Sequence, residues 1–122
     1  MFNDDIFYTP DFALIELDKY RKVILKKSKA ESDELREFTL FLFSKIIVVP
    51  DYVISDKSYT DAGELVSNID PKDTVYIALN QELSTTILLT RDKPLFDKLT
   101  EKGYLRIRLF NEFVTEKLAN EL

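Results

Sequence analysis

Three carboxylates in this 122-residue chain, Glu16, Asp73 and Asp92, stand where hydration alone gives no reason for them. Glu16 lies inside a predicted helix. Ala13, Leu17, Tyr20 and Ile24 make an apolar stripe at three-to-four-residue spacing, with Glu16 at its edge and turned toward the body of the protein. An unpaired carboxylate there costs several kcal/mol, so a cation is expected, either a metal ion or a Lys or Arg. Asp73 stands in Asp70-Pro71-Lys72-Asp73-Thr74, just before the apolar run Val75 to Leu79. It is either a metal ligand or a first-turn acid favoured by the helix dipole, with Asp70 as the cap. Asp92 follows Ile87-Leu88-Leu89 through Thr90-Arg91, at the carboxyl end of a predicted interior strand. It either caps the helix that opens around Pro94 or serves as a ligand. All three offer hard oxygen and no soft ligand is near, which suits Mg2+ or Mn2+. Such an ion activates a water, and two ions about 4 Å apart steady the attacking and leaving oxygens of a phosphodiester.

Composition removes most competing chemistries. The chain has no His and no Cys, so imidazole bases, Ser-His pairs, thiolate zinc sites and disulfides are excluded. Gly63 and Gly103 are its only glycines, too few for a phosphate-cradling or dinucleotide loop. A Ser-Lys pair stays formally open, with nothing in the spacing to support it. A net charge of -5 argues against a general polyanion binder. It leaves room for a local basic face at Lys19, Arg21, Lys22, Lys26, Lys27 and Lys29, which reads either that way or as a solvated helix end whose cations suit the C-terminal dipole. The acidic start Met1-Phe2-Asn3-Asp4-Asp5 is unlike a signal peptide, and no apolar run has the length of a membrane span, so a cytoplasmic protein with no membrane partner is expected.

The elements that must position these acids alternate between strand and helix. Ile6 to Tyr8 reads as a short strand closed by Thr9-Pro10, with Pro10 in the first turn of a helix running to about Lys27. A helix over Glu31 to Ser44 precedes the strand Ile46 to Val49, ended by Pro50. Helices follow over Lys57 to Ile69 and from Pro71 to about Leu83, then a strand at Ile87 to Leu89 ending at Thr90. A short helix opens at Asp92-Lys93-Pro94 and closes near Lys102-Gly103, before a strand at Leu105 to Leu109 and a final helix from Asn111. The pattern predicts one α/β domain over residues 1–122, with a mainly parallel sheet of about four strands between helical layers and a site at the strands' carboxyl ends.

The same residues resemble the PIN domain, a family of small metal-dependent nucleases that includes the toxins of many toxin-antitoxin pairs. Phe7-Tyr8-Thr9-Pro10 with Glu16-Leu17 is similar to the family's second strand and the helix bearing its second acid. Asp70-Pro71-Lys72-Asp73-Thr74 with Tyr76, Ala78 and Leu79 is similar to the third acidic motif, and Leu88-Leu89-Thr90-Arg91-Asp92 to the strand-end hydroxyl and fourth acid. The resemblance implies a three-layer α/β/α fold and an endoribonuclease that uses Mg2+ or Mn2+. Glu16, Asp73 and Asp92 are then metal ligands, Thr90 is an orienting hydroxyl, Asp70 an outer-shell acid, and Arg91, Lys93 and Lys22 contacts to RNA. It also implies a cognate antitoxin as partner and a homodimer. A PIN domain normally begins with a central strand ending in its first acid, which this sequence lacks, since Asp4 and Asp5 precede the Ile6 strand. An N-terminal truncation is therefore expected, with apolar edges exposed on the Ile6 and Ile87 strands. The alternative is a non-catalytic module of the same fold that binds RNA or a partner protein. A receiver-like phosphate-binding domain fits less well, because its acids cluster after the first strand.

Overall fold

The computed structural model describes residues 5–28, 31–67 and 70–121. The chain forms two compact units, Asp5–Val53 and Ile54–Leu122, each with its own pair of parallel strands.

In the N-terminal unit β1 (Phe7–Pro10) pairs in parallel with β2 (Ile46–Val49), Phe7 opposite Ile46 and Pro10 opposite Val49. Pro10 closes the strand and does not open a helix as expected. It is fully buried, and the ladder resumes beyond it with the Asp11 N–H donating to the Val49 carbonyl at 3.1 Å. The missing proline N–H is tolerated at a strand end. The single helix expected from Pro10 to Lys27 is two, α1 (Phe12–Lys19) and α2 (Arg21–Ser28), broken at Tyr20. Helical bonding restarts with the Ile24 N–H on the Tyr20 carbonyl at 3.0 Å. The stripe along α1 is only half covered, with Leu17 38% and Tyr20 40% exposed. Helix α3 (Ser32–Phe43) then leads into β2 as the spacing predicts.

The C-terminal unit holds most of the buried apolar side chains. Helix α4 (Asp56–Leu65) lines up Ser58, Ala62 and Val66 on one face, all buried, and these small residues let it pack closely on α5 (Thr74–Glu82). Four consecutive residues of α5, Ile77 to Asn80, are buried, so the helix is enclosed nearly all round. Ile77 alone accounts for about 1.5–3 kcal/mol of burial. The helix expected to run to Ile69 stops at Leu65, whose carbonyl accepts from Lys102 Nζ; Ile69 lies outside the described residues. Strand β3 (Leu88–Thr90) pairs in parallel with β4 (Ile107–Leu109). Between them, α6 (Lys93–Glu101) buries Leu95 and Leu99 one turn apart. It ends at Gly103, whose φ of 86° requires glycine, with Gly103 N–H on the Thr100 carbonyl and Tyr104 N–H on that of Leu99. Helix α7 (Phe110–Glu121) follows β4 directly.

All described strand pairs are parallel, as expected, but the predicted four-stranded sheet is divided into two pairs. No described strand joins β1 to β3. Ile6, before β1, is 67% exposed and Ile87, before β3, 55%.

Glu82 ties the two central helices together. Its Oε1 accepts the Ser55 backbone N–H at 2.7 Å and the Ser58 hydroxyl at 3.1 Å, at the N-terminus of α4 where a negative charge is favoured. The Ser55 backbone N–H, followed by the Ser55 and Ser58 hydroxyls, holds the Glu82 carboxyl below its ordinary value of 4.5. A carboxyl held low in the folded state stabilises in full above its unfolded value and loses that effect as pH falls through its folded one. Glu82→Gln should therefore lower the thermal midpoint at neutral pH, with the gap from the unsubstituted chain narrowing once pH falls below 4.5. Thermal melts across that range check it, and a gap that stays constant would rule out this role.

Candidate functional site

Helix α5 brings Asp73 to the carboxyl end of β3. Pro71–Asp73 forms a 3-10 turn, capped by Asp70, whose Oδ1 accepts the Lys72 N–H at 3.0 Å. The turn delivers Asp73 to the start of α5 with no side-chain capping bond of its own. Asp73 lines a cleft of about 240 Å³ together with Tyr76, Thr90 and Arg91, above a floor of Ile77, Leu88, Leu89 and Leu95. Thr90 Oγ1 accepts the Asp92 N–H at 3.0 Å, which sets the turn leaving the strand. Asp92 Oδ1 in turn accepts the Leu95 N–H at 3.1 Å and caps α6, so the capping role weighed for Asp92 is real and occupies one carboxylate oxygen.

The remaining candidates are placed as follows. Arg91 is exposed on the wall of the cleft, and Lys93, also exposed, pairs with Asp97 at 3.2 Å. Asp70 is exposed and engaged in its own cap. Glu16 is half-buried on α1 and Lys22 exposed on α2, both in the N-terminal unit. The three acids are thus distributed over both units, Asp73 and Asp92 in one and Glu16 in the other. Among the described residues no group of three or more acids stands close enough to hold a metal ion. The donors at the cleft are oxygen throughout, the chemistry a hard cation prefers; their number within the C-terminal unit is short of a full ligand set.

A polar cluster that the sequence analysis did not identify holds the approach to β3. Asn80 is buried on α5; its Nδ2 donates to the Thr86 carbonyl at 3.1 Å and hydroxyl at 2.9 Å, and its Oδ1 accepts from the Tyr104 hydroxyl. Burial pushes the Tyr104 phenol up, against the pull of the Arg106 charge, so it stays a neutral donor. Arg106 Nη1 lies 2.9 Å from the Asn80 carbonyl, 3.0 Å from that of Ser84 and 3.3 Å from that of Thr86, satisfying the end of α5. The one available signal was an amide at the end of the apolar run Ile77-Ala78-Leu79.

The sequence model described as PIN domain matches residues 2–107. No curated protein and no solved structure matches the chain.

Two positions test this geometry without reference to activity. Asp92→Ala should cost about 1 kcal/mol by removing the cap of α6, whereas Asp92→Asn, an equally good cap, should cost little. Arg106→Met leaves carbonyls at the end of α5 without donors and should cost roughly 1–3 kcal/mol. Urea denaturation measures all three variants, and equal losses for the two at Asp92 would remove the cap from the account.

Proposed function

The chain belongs to the PIN-domain family, whose members are generally nucleases, and on that premise we propose that it is a divalent-metal-dependent endoribonuclease. The observation that carries this reading is the cleft at the carboxyl end of β3, which Asp73, Thr90 and Arg91 all line and after which Asp92 follows directly in sequence. Asp73 and Asp92 are the proposed Mg2+ or Mn2+ ligands of the C-terminal unit, and Glu16 the proposed third. When bound, such an ion supplies an activated water and offsets the charge that develops on phosphate oxygens. The chain's own groups do the positioning. Thr90 fixes the strand-end turn through the Asp92 N–H, and the Asp92 cap leaves its second oxygen for a cation. The exposed Arg91 guanidinium offers paired N–H donors to a phosphate, which no lysine at that place would match. Lys93, tied to Asp97, is the weaker contact. The toxin role, with an antitoxin protein as partner and a homodimer as the working form, belongs to this proposal as a family association.

A non-catalytic module that binds RNA or a protein is the second reading. The cap that Asp92 gives α6 favours it, since that acid then has a structural role apart from any metal.

Cleavage of a labelled single-stranded RNA in Mn2+ separates the two. Asp92→Asn and Asp73→Asn should each lower the rate by more than the roughly 10–100-fold that an outer-shell partner of a metal is worth, with melting unchanged for Asp92→Asn. Undiminished cleavage by Asp92→Asn would take Asp92 out of the site. No cleavage by the unsubstituted chain, with no heat on titrating Mg2+ or Mn2+, would establish the second reading in place of the first.

A further inference from the structure

The charges of this chain are unevenly spread. Residues 19–29 carry six of its 17 Lys and Arg and none of its 22 Asp and Glu, in a protein of net charge -5. Of these, Lys29 lies outside the described residues. The C-terminal dipole, one reading of such a run, accounts for Lys26 and Lys27 in the last turn of α2 and for Lys19 in that of α1. It does not account for Arg21 and Lys22. The break at Tyr20 makes them the first two residues of α2, at the positive end of its dipole, where cations are disfavoured. Lys22 and Lys26 are also one turn apart, a like-charge pair that weakens a helix.

Local pairing relieves little of this. Arg21 reaches Asp18 at 3.8 Å with both side chains well exposed, and no described acid forms an ion pair with Lys22, Lys26 or Lys27. Helical spacing places Lys22, Lys26 and Lys27 on one exposed arc of α2, with the 47% exposed Val23 between Lys26 and Lys27 and half-buried Ile24 beyond Lys27. Beside the arc is the half-exposed Tyr20, its ring 5.4 Å from the Lys19 ammonium. Cations in a row with an accessible aromatic ring are what a single-stranded nucleic acid needs: phosphates for the cations, a base face for the ring. A duplex gives the ring nothing to stack on. A membrane would need a broader apolar face than these eight residues present.

We infer that Tyr20 and the exposed face of α2, with Lys22, Lys26 and Lys27, form a docking surface for the phosphate backbone of single-stranded nucleic acid. As the path of the strand to be cut, it rests on the nuclease reading; as a binding surface, it is measured without cleavage. The probe is a fluorescein-labelled oligouridylate, its anisotropy followed in EDTA over a series of salt concentrations. The triple variant Lys22→Gln, Lys26→Gln, Lys27→Gln should weaken binding and flatten the slope of log K against log salt by about 2, at roughly 0.7 for each phosphate no longer neutralised. A control with the same charge removed at the exposed Lys57, Lys72 and Lys98 should keep the slope. Tyr20→Ala should lose about 5-fold or more in affinity with the slope unchanged. Circular dichroism confirms that each variant stays folded, which exposed positions favour.

Equal binding by the triple variant and the unsubstituted chain, an equal loss in the control, or no binding by the unsubstituted chain overturns the proposal. So does binding to phosphatidylserine vesicles with none to the oligouridylate. Binding that depends on the three lysines, in a chain that cuts no RNA with Mn2+, would leave this surface standing and the nuclease reading fallen. Cleavage with binding indifferent to the lysines would do the reverse.

Discussion

Arg106 satisfies the carbonyl end of an enclosed helix, and the geometry of the candidate cleft depends on that contact. Helix α5 is buried over Ile77 to Asn80, and the carbonyls of its last turn and of the loop behind it have no partner within the helix. Arg106 reaches those of Asn80, Ser84 and Thr86 from the residue before β4. It fixes the end of α5, the turn into β3 and the start of β4 in one arrangement. The Arg106 carbonyl also accepts the Leu88 N–H at 2.9 Å, so the same residue opens the β3–β4 ladder. Asn80 and Tyr104 close the network and leave no buried amide group idle.

Acids at helix starts do two kinds of work in this unit. Asp70 and Asp92 each give an oxygen to a backbone N–H, which is reason enough for their presence apart from any metal. Asp73 is different: it begins a helix without capping it and faces the cleft. Capping and metal binding are compatible at Asp92, because a carboxylate has two oxygens and one N–H takes one of them. Where one side chain does both, its neutral amide isostere separates them, since the amide caps as well but brings no charge.

The N-terminal unit presents a different balance. A parallel ribbon of two strands is an unusual stopping point, because parallel sheets are normally covered on both faces and extended by further strands. Tyr8 and Ile47, opposite each other in register, are 42% and 50% exposed. The basic run of α2 concentrates positive charge on one exposed helix, with no ion pair to Lys22, Lys26 or Lys27 among the described residues. Both features are outward-looking, one apolar and one cationic, and each costs the isolated unit stability.

The sequence by itself determined the order of strands and helices, the parallel sense of the strand pairs and the caps at Asp70 and Gly103, because these follow from local periodicity, turn chemistry and backbone conformation. It also placed Asp73 at a helix start and Thr90 at a strand end, and the cleft at β3 joins the two. The tertiary structure decided what local chemistry does not encode. It broke the first helix at Tyr20, a position that the apolar periodicity on either side does not mark. It supplied the Leu65 carbonyl at the end of α4 with a lysine 37 residues away and the end of α5 with Arg106. It divided the expected sheet into two pairs, because hydrogen bonding between strands far apart in sequence depends on which strand lies next to which, and periodicity along one strand carries no record of its neighbour.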